Sequence, residues 1–109
     1  MNTAKLRKKE LLMELNRILK IVKKVYQPKQ VVLFGSLCNN RVTETSDIDL
    51  LIVKNVKKRY LDRIDDFMNL VNPKVAIDVF IFTPQELKNP NPYIDEIFKN
   101  GEVIYERKS

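Results

Sequence analysis

The sequence contains no histidine, no tryptophan and a single cysteine among its 109 residues. Without histidine, the chain supplies neither Ser-His-Asp nor Cys-His catalysis, and it offers no ordinary His/Cys zinc site. Cys38 has no second cysteine with which to form an internal disulfide, which predicts a protein of the reducing cytoplasm. Any chemistry must therefore use carboxylates, hydroxyls, lysines or a bound metal.

Long apolar runs are also missing. The N-terminal segment MNTAKLRKKE is too charged for a signal peptide, and no apolar run approaches the roughly 18 residues of a membrane span. Glycine and proline number only 2 and 5, while 44% of the residues are hydrophobic and 31% are charged, which is typical of a globular chain rich in regular structure. We expect one soluble domain over residues 1–109 with no membrane partner, because a second core would need roughly 100 further residues.

The hydrophobic pattern predicts both helices and strands. Apolar residues that recur at three- and four-residue steps predict helices at residues 4–26 and 61–71, with a shorter helical segment at 94–98. Short apolar runs predict three buried strands and one final edge strand, at residues 30–34, 47–53, 75–82 and 102–105. Thr83 and Glu86 have the spacing of a capping box, which predicts a short helix there. We therefore expect an α/β (α+β) fold with a small mixed central sheet flanked by helices.

Three aspartates lie on the predicted strands. Asp47 and Asp49 are two residues apart, so their side chains share one face of a strand, about 6.6 Å apart, while Ile48 points the other way. Asp78 lies between apolar neighbours, where burying an unpaired carboxylate would cost roughly several kcal/mol. If the two strands are neighbours, roughly 4.8 Å apart, the three carboxylates converge, and Mg²⁺ or Mn²⁺ would be suitable counter-ions because hard cations prefer oxygen ligands.

Each aspartate also has a structural explanation. Asp47 could cap the entry to its strand, Asp49 could face solvent, and Asp78 could pair with one of the many lysines. Taken singly, these explanations are stronger than catalysis, but together they require three independent coincidences. The joint arrangement therefore favours a functional cluster.

An apolar strand breaks at Gly35 and continues with Ser36, whose hydroxyl could cap a short helix. A turn of this kind exposes backbone N–H groups and suits a phosphate that approaches closely. By itself, the Gly-Ser pair is weak evidence and favours an ordinary turn at the end of a strand.

Together these residues resemble the signature of a known enzyme superfamily. Gly35-Ser36, ten further residues, Asp47-Ile48-Asp49 and the distant Asp78 resemble the GS-x10-DxD pattern of the DNA polymerase β-like nucleotidyltransferases. The resemblance covers residues 30–89, and the chain is similar in length to the minimal nucleotidyltransferases of prokaryotes. It implies the corresponding fold and nucleotidyl transfer from a nucleoside triphosphate.

The resemblance also implies a role for each residue. Gly35 and Ser36 would hold the triphosphate, Asp47 and Asp49 would coordinate two Mg²⁺ ions, and Asp78 would bind the catalytic metal and help to deprotonate the acceptor. Members of this branch are commonly encoded beside a HEPN-type toxin and act as its antitoxin. By resemblance, this chain would transfer AMP from ATP to a tyrosine hydroxyl of such a partner.

The segment after the serine departs from the family pattern. Members often carry arginine directly after the serine and again two residues later, then glycine, where this chain has Leu37, Asn39 and Asn40. Arg41 is the nearest arginine, and it either substitutes as a nucleotide-binding residue or is simply solvated. A non-catalytic antitoxin that neutralises its partner by binding therefore stands as an alternative to the adenylylating enzyme.

The positive charge supports a third hypothesis. Lysine and arginine number 20 against 14 aspartates and glutamates, and this excess of 6 would attract a nucleotide, a nucleic acid or an acidic protein surface. The basic clusters at residues 7–9, 20–24 and 54–59 lack interleaved aromatic residues for base stacking, which favours solvated surfaces over an RNA groove. An RNA-binding or RNA-end-modifying protein therefore ranks third.

Overall fold

The computed structural model describes residues 2–108. Within them, the three α-helices and four strands follow one another along the chain in this order: α1 (Thr3–Ile21), β1 (Gln30–Phe34), β2 (Ile48–Val53), α2 (Tyr60–Val71), β3 (Ile77–Phe82), α3 (Pro92–Asn100) and β4 (Glu102–Glu106). Met1 and Ser109, which belong to the expected domain over residues 1–109, lie outside the described residues.

The four strands form one mixed sheet in the order β3-β2-β1-β4. Strand β1 runs antiparallel to both β2 and β4, whereas β2 and β3 are parallel and α2 connects them. The register places Asp49 of β2 between Phe34 of β1 and Asp78 of β3. The predicted small mixed sheet flanked by helices is therefore confirmed.

Side-chain amides cap two of the helices. The Asn2 side chain accepts hydrogen bonds from the Ala4 and Lys5 N–H groups at the start of α1. The Asn91 side chain caps α3 in the same way, and Pro92 occupies the first helical position, where a missing N–H costs nothing. After α1 the chain continues as a π-helical turn, Val22–Tyr26, so the predicted helix at 4–26 has the expected extent but a wider last turn.

The core has two layers, one on each face of the sheet. Helices α1 and α2 cover one face with buried side chains that include Leu11, Ile18 and Phe67. Helix α3 covers the other face, where Ile94 and Ile97 pack against the buried side chains of β1 and β2. As the sequence predicts, β2 is buried on both faces after its first two residues.

Strand β3 corrects one expectation. Residues 75–82 resemble a buried strand in sequence, but only Ile77 and Ile81 of β3 are buried, and Asp78 is exposed. The reason is that β3 is an edge strand, while α3 packs mainly over β1. Asp78 therefore does not require the compensation that a buried carboxylate would need.

Glu14 is a buried carboxylate that joins α1 to the end of α2. Its side chain, 6% exposed, accepts hydrogen bonds of 2.7 and 2.8 Å from the Arg17 guanidinium and a further bond from the Lys74 N–H. Arg17 also donates to the Val71 carbonyl at 2.7 Å. These bonds satisfy the carboxylate and place the chain that leads into β3.

Arg63 has the corresponding role between α2 and β3. It is 8% exposed and donates hydrogen bonds to the Ile81 carbonyl at 3.2 Å and to the Glu86 carboxylate at 2.8 Å. Glu86 also closes the predicted capping box, since it accepts from the Thr83 N–H while Thr83 Oγ1 accepts from the Glu86 N–H. The helix that follows is a single 3-10 turn, Glu86–Lys88.

Among the described helices, none combines the length and the apolar character that a membrane crossing requires.

Candidate active site

Three carboxylates meet on the α3 side of the sheet. Asp47, Asp49 and Asp78 present oxygen atoms that all lie within 4.8 Å of one another. Asp47 directly precedes β2, Asp49 is the second residue of β2, and Asp78 lies beside Asp49 in the parallel register. The first two are half-buried and Asp78 is exposed. The convergence that the sequence suggests is therefore present in the structure.

The cluster suits a divalent cation electrostatically. Burial raises the pKa of Asp49 to about 7, and the negative charges of Asp47 and Asp78 contribute to the increase. A cation between the carboxylates would remove this repulsion, and Mg²⁺ and Mn²⁺ prefer such a set of oxygen donors. The residues present therefore fit the metal ions that the sequence predicts.

Gly35 ends β1 directly beside this cluster. Its φ of +77° lies in the left-handed region, and a Cβ atom at this position would be 2.1 Å from Asp49 Oδ2. Only glycine meets both requirements, because any other side chain would be strained and would collide with the carboxylate. The close approach brings the backbone of the Gly-Ser turn against the carboxylates.

Residues 36–40 form a hydrogen-bonded turn, not the short helix that Ser36 could have capped. The Cys38 and Asn39 N–H groups both donate to the Gly35 carbonyl at 3.1 Å. The turn ends because Asn40 adopts a left-handed φ of 60°, which does not continue a right-handed helix. The N–H groups of Ser36 and Leu37 take no part in these bonds, and their contact with a phosphate stays a prediction.

The remaining positions near the turn have different surroundings. Leu37 is 6% exposed and packs in the core formed with α1 and α2. Cys38 is half-buried against the same core. Arg41 is exposed, so its contact with a nucleotide stays a prediction.

Sequence reasoning missed an aromatic cavity beside the carboxylates. It has a volume of about 150 Å³ and is lined by Phe34, Asp49, Asp78, Val79, Phe80 and Tyr93. The Phe80 ring lies 6.1 Å from the Phe34 ring at an interplanar angle of 17°, and 5.9 Å from the Tyr93 ring at 82°. One available signal was that Phe80 follows Asp78 by two residues, which places both side chains on one face of β3.

Comparison with known sequences identifies relatives of this chain. Residues 16–109 match the family described as "Polymerase beta, Nucleotidyltransferase". Two proteins of Methanocaldococcus jannaschii, each named "Putative protein adenylyltransferase", are 33% identical over 85 residues and 34% identical over 71 residues. These matches cover 71% and 65% of this chain, and they span 58% of the first relative and 71% of the second.

Two solved structures share the fold. A structure described as a "putative nucleotidyltransferase from Sulfolobus solfataricus" aligns with a TM-score of 0.65 at 21% identity, over 98% of this chain and 90% of that one. A structure described as a toxin-antitoxin with AMP-PNP aligns with a TM-score of 0.59 at 15% identity, over 85% of this chain and 73% of that one.

The fold is that of a nucleotidyltransferase domain, as the resemblance in sequence implied. More specifically, the chain belongs to the polymerase beta nucleotidyltransferase family.

Proposed function

We propose that this protein is a cytoplasmic, Mg²⁺-dependent adenylyltransferase that transfers AMP from ATP to a tyrosine hydroxyl of a HEPN-type toxin, and so acts as its antitoxin. The observation that carries the proposal is the group of three carboxylates, Asp47, Asp49 and Asp78, whose oxygens lie within 4.8 Å of one another. The names of the relatives support a protein acceptor, and the toxin-antitoxin neighbour supports a protein partner. We assign the activity to residues 1–109 as one minimal domain.

Different residues serve the two substrates, ATP and the acceptor. Asp47 and Asp49, beside the Gly35 turn, would hold the metal ions together with Asp78. When bound, these ions would neutralise charge on the triphosphate and on the attacking oxygen. The N–H groups at the start of the turn would donate to a phosphate oxygen.

Asp78 is suited to the acceptor because it is exposed at the edge strand. Its carboxylate accepts the proton of the attacking hydroxyl. The acceptor oxygen forms a bond to the α-phosphorus, the bond between the α- and β-phosphates breaks, and pyrophosphate leaves. The products are the AMP ester and pyrophosphate.

The experiment is intact-mass measurement of the protein encoded by the neighbouring gene, after incubation with this chain, Mg²⁺ and ATP. We expect a gain of one or more AMP units with the wild type and none with Asp49→Asn, which removes a metal ligand while changing shape little. Asp65→Asn, an exposed change on α2, is the matched control and should leave the gain unchanged. If Asp49→Asn still transfers AMP as fully as the wild type does, the assigned site is wrong.

A second candidate is a non-catalytic antitoxin that acts by occlusion. The observation in its favour is Leu37, which occupies a position where relatives often have arginine and which is buried in the core. A double variant, Asp47→Asn with Asp49→Asn, separates the two functions in cells that express the toxin. Continued neutralisation supports occlusion, whereas loss of neutralisation by a complex that still forms excludes it.

A further inference from the structure

Two aromatic side chains border the carboxylates on the α3 side of the sheet. Phe80 follows Asp78 on β3, and Tyr93 lies in the first turn of α3. We call this pair the aromatic wall. Phe34 stacks against the β1 side of Phe80, which holds that ring in place. Tyr93 is 59% exposed, so much of its surface is available to a ligand.

The site has two distinguishable ends. Gly35 lies against the carboxylate of Asp49, which marks the end where a phosphate approaches the backbone. Phe80 stands two residues beyond Asp78 on the same strand face, which marks the opposite end, at the edge of the sheet. Phe80 is therefore on the side where the second substrate reaches the exposed Asp78. Tyr93 lies between the two ends, because it lines this cavity and also a second one that includes Gly35.

The chemistry of the cavity matches a phenol. One small cavity is lined by both Phe80 and Asp78. In a tyrosine side chain, the ring is bonded directly to the attacking oxygen, so a hydroxyl at Asp78 carries its ring into the same cavity. The adenine of ATP is separated from the α-phosphate by the ribose, and a serine hydroxyl brings no ring at all.

We propose that the aromatic wall is the subsite for the acceptor's phenol ring, and that it makes tyrosine a better acceptor than serine or threonine. This inference rests on the proposed function. The acceptor ring packs against Phe80 and Tyr93 while its hydroxyl donates to Asp78 before the transfer of AMP described above. Aromatic pairs contribute about 0.5–1.5 kcal/mol beyond the area that they bury, so losing one ring should weaken acceptor binding about 2- to 13-fold.

The kinetic test compares the apparent KM of the neighbouring gene's protein with the KM of ATP. Phe80→Leu and Tyr93→Ala should each raise the KM of the acceptor about 2- to 13-fold, and Phe80→Leu should leave the KM of ATP unchanged. Tyr93→Phe, which keeps the ring, should behave as the wild type does. Phe98→Ala is the matched control, because Phe98 is a partly exposed aromatic residue on α3 that lines a different cavity. A rise in the KM of ATP alone, or no change in either value, overturns the inference.

A binding test separates this inference from the proposed function. In NMR spectra of the whole chain, N-acetyltyrosinamide should shift the ring signals of Phe80 and Tyr93, and N-acetylserinamide should not. If the wild type adenylylates no protein but these shifts occur, the proposed function is wrong and the ring subsite is supported. If adenylylation occurs but neither compound shifts the rings, the subsite is wrong and the proposed function stands.

Discussion

The α-carbon of Gly35 lies directly against the carboxylate of Asp49, at a distance that leaves no room for a side chain. The contact joins the end of β1 to the start of β2, because Phe34 and Asp49 are paired across the antiparallel strands. The Gly-Ser turn and the carboxylates are therefore in direct contact, and a substitution in the turn should displace the carboxylates.

Gly35→Ala should therefore damage both the fold and the metal site. The new methyl group would displace Asp49, and the left-handed backbone would be strained, so we expect the free energy of unfolding to fall by about 1–3 kcal/mol. Mn²⁺ affinity, measured by isothermal titration calorimetry, should also fall. Gly101→Ala is the control, since its Cβ would lie 2.5 Å from the Ile97 carbonyl oxygen, away from the carboxylates. Unchanged Mn²⁺ affinity in Gly35→Ala would contradict the dependence of the metal site on this contact.

Mg²⁺ should stabilise the protein against heat, because a cation relieves the repulsion among three carboxylates. At a concentration 100 times its Kd, a ligand that binds only the folded state adds about 2.7 kcal/mol of stability. We expect differential scanning calorimetry to show a higher Tm with Mg²⁺ for the wild type and for Asp65→Asn. Asp49→Asn and Asp78→Asn should lose most of this increase. An equal increase in all four proteins would place the Mg²⁺ site elsewhere.

Glu14 should make part of the stability depend on pH. Hydrogen bonds from Arg17 hold the pKa of Glu14 below its ordinary value, with a further contribution from the Lys74 N–H, while burial opposes them. A carboxyl whose pKa is lowered by folding stabilises the protein above its unfolded pKa of about 4.3, and that stabilisation is lost as the pH falls through the folded value.

Glu14→Gln should accordingly lower the free energy of unfolding by about 1–3 kcal/mol at pH 7, because it weakens a charged, buried network. Urea titrations at pH 7 and pH 3 should show that the free energies of unfolding of wild type and variant differ less at the lower pH. Glu10→Gln, an exposed change on the same helix, should have little effect at either pH. An equal difference in the free energy of unfolding at the two pH values would mean that the charge of Glu14 does not contribute to stability.

Arg63→Leu should be strongly destabilising, by about 2–3 kcal/mol, since it removes the guanidinium N–H groups that donate to the Ile81 carbonyl and to Glu86. Arg59→Leu is the control, because Arg59 is well exposed and its pairing with Asp62 is a surface ion pair of little value. Urea unfolding of the two variants gives the comparison. Similar losses of stability in both would show that burial of the guanidinium does not matter.

Much of the fold could be predicted because its elements have strong local patterns. Gln30–Phe34 is a strand over the same five residues that the sequence indicates, since a β-branched apolar run ends at a glycine. The burial of Glu14 and Arg63 could not be predicted, because both are charged residues on amphipathic helices, where charged side chains usually face solvent. Their partners, the Lys74 N–H and the Ile81 carbonyl, are distant in sequence and come together only in the folded chain.

The candidate site was predicted in its acidic residues and not in its surroundings. The spacing of Asp47 and Asp49 determines their shared face, and the parallel neighbour brings Asp78 beside them. The exposure of Asp78 was not predictable, because an apolar run in the sequence does not distinguish an edge strand from a central one. Phe80 supplies part of that apolar character, yet it packs mainly against other aromatic rings, including Tyr93 of α3.

The direct pairing of Asp49 with Asp78 has an evolutionary consequence. A single-residue insertion or deletion inside β2 or β3 would turn one carboxylate to the opposite side of the sheet, because the side-chain period of a strand is two. Residues 54–59 and 83–91 lie outside these strands and carry no such constraint. Lineages descended from this chain should therefore accumulate their length changes in those two segments and conserve the length of the two strands.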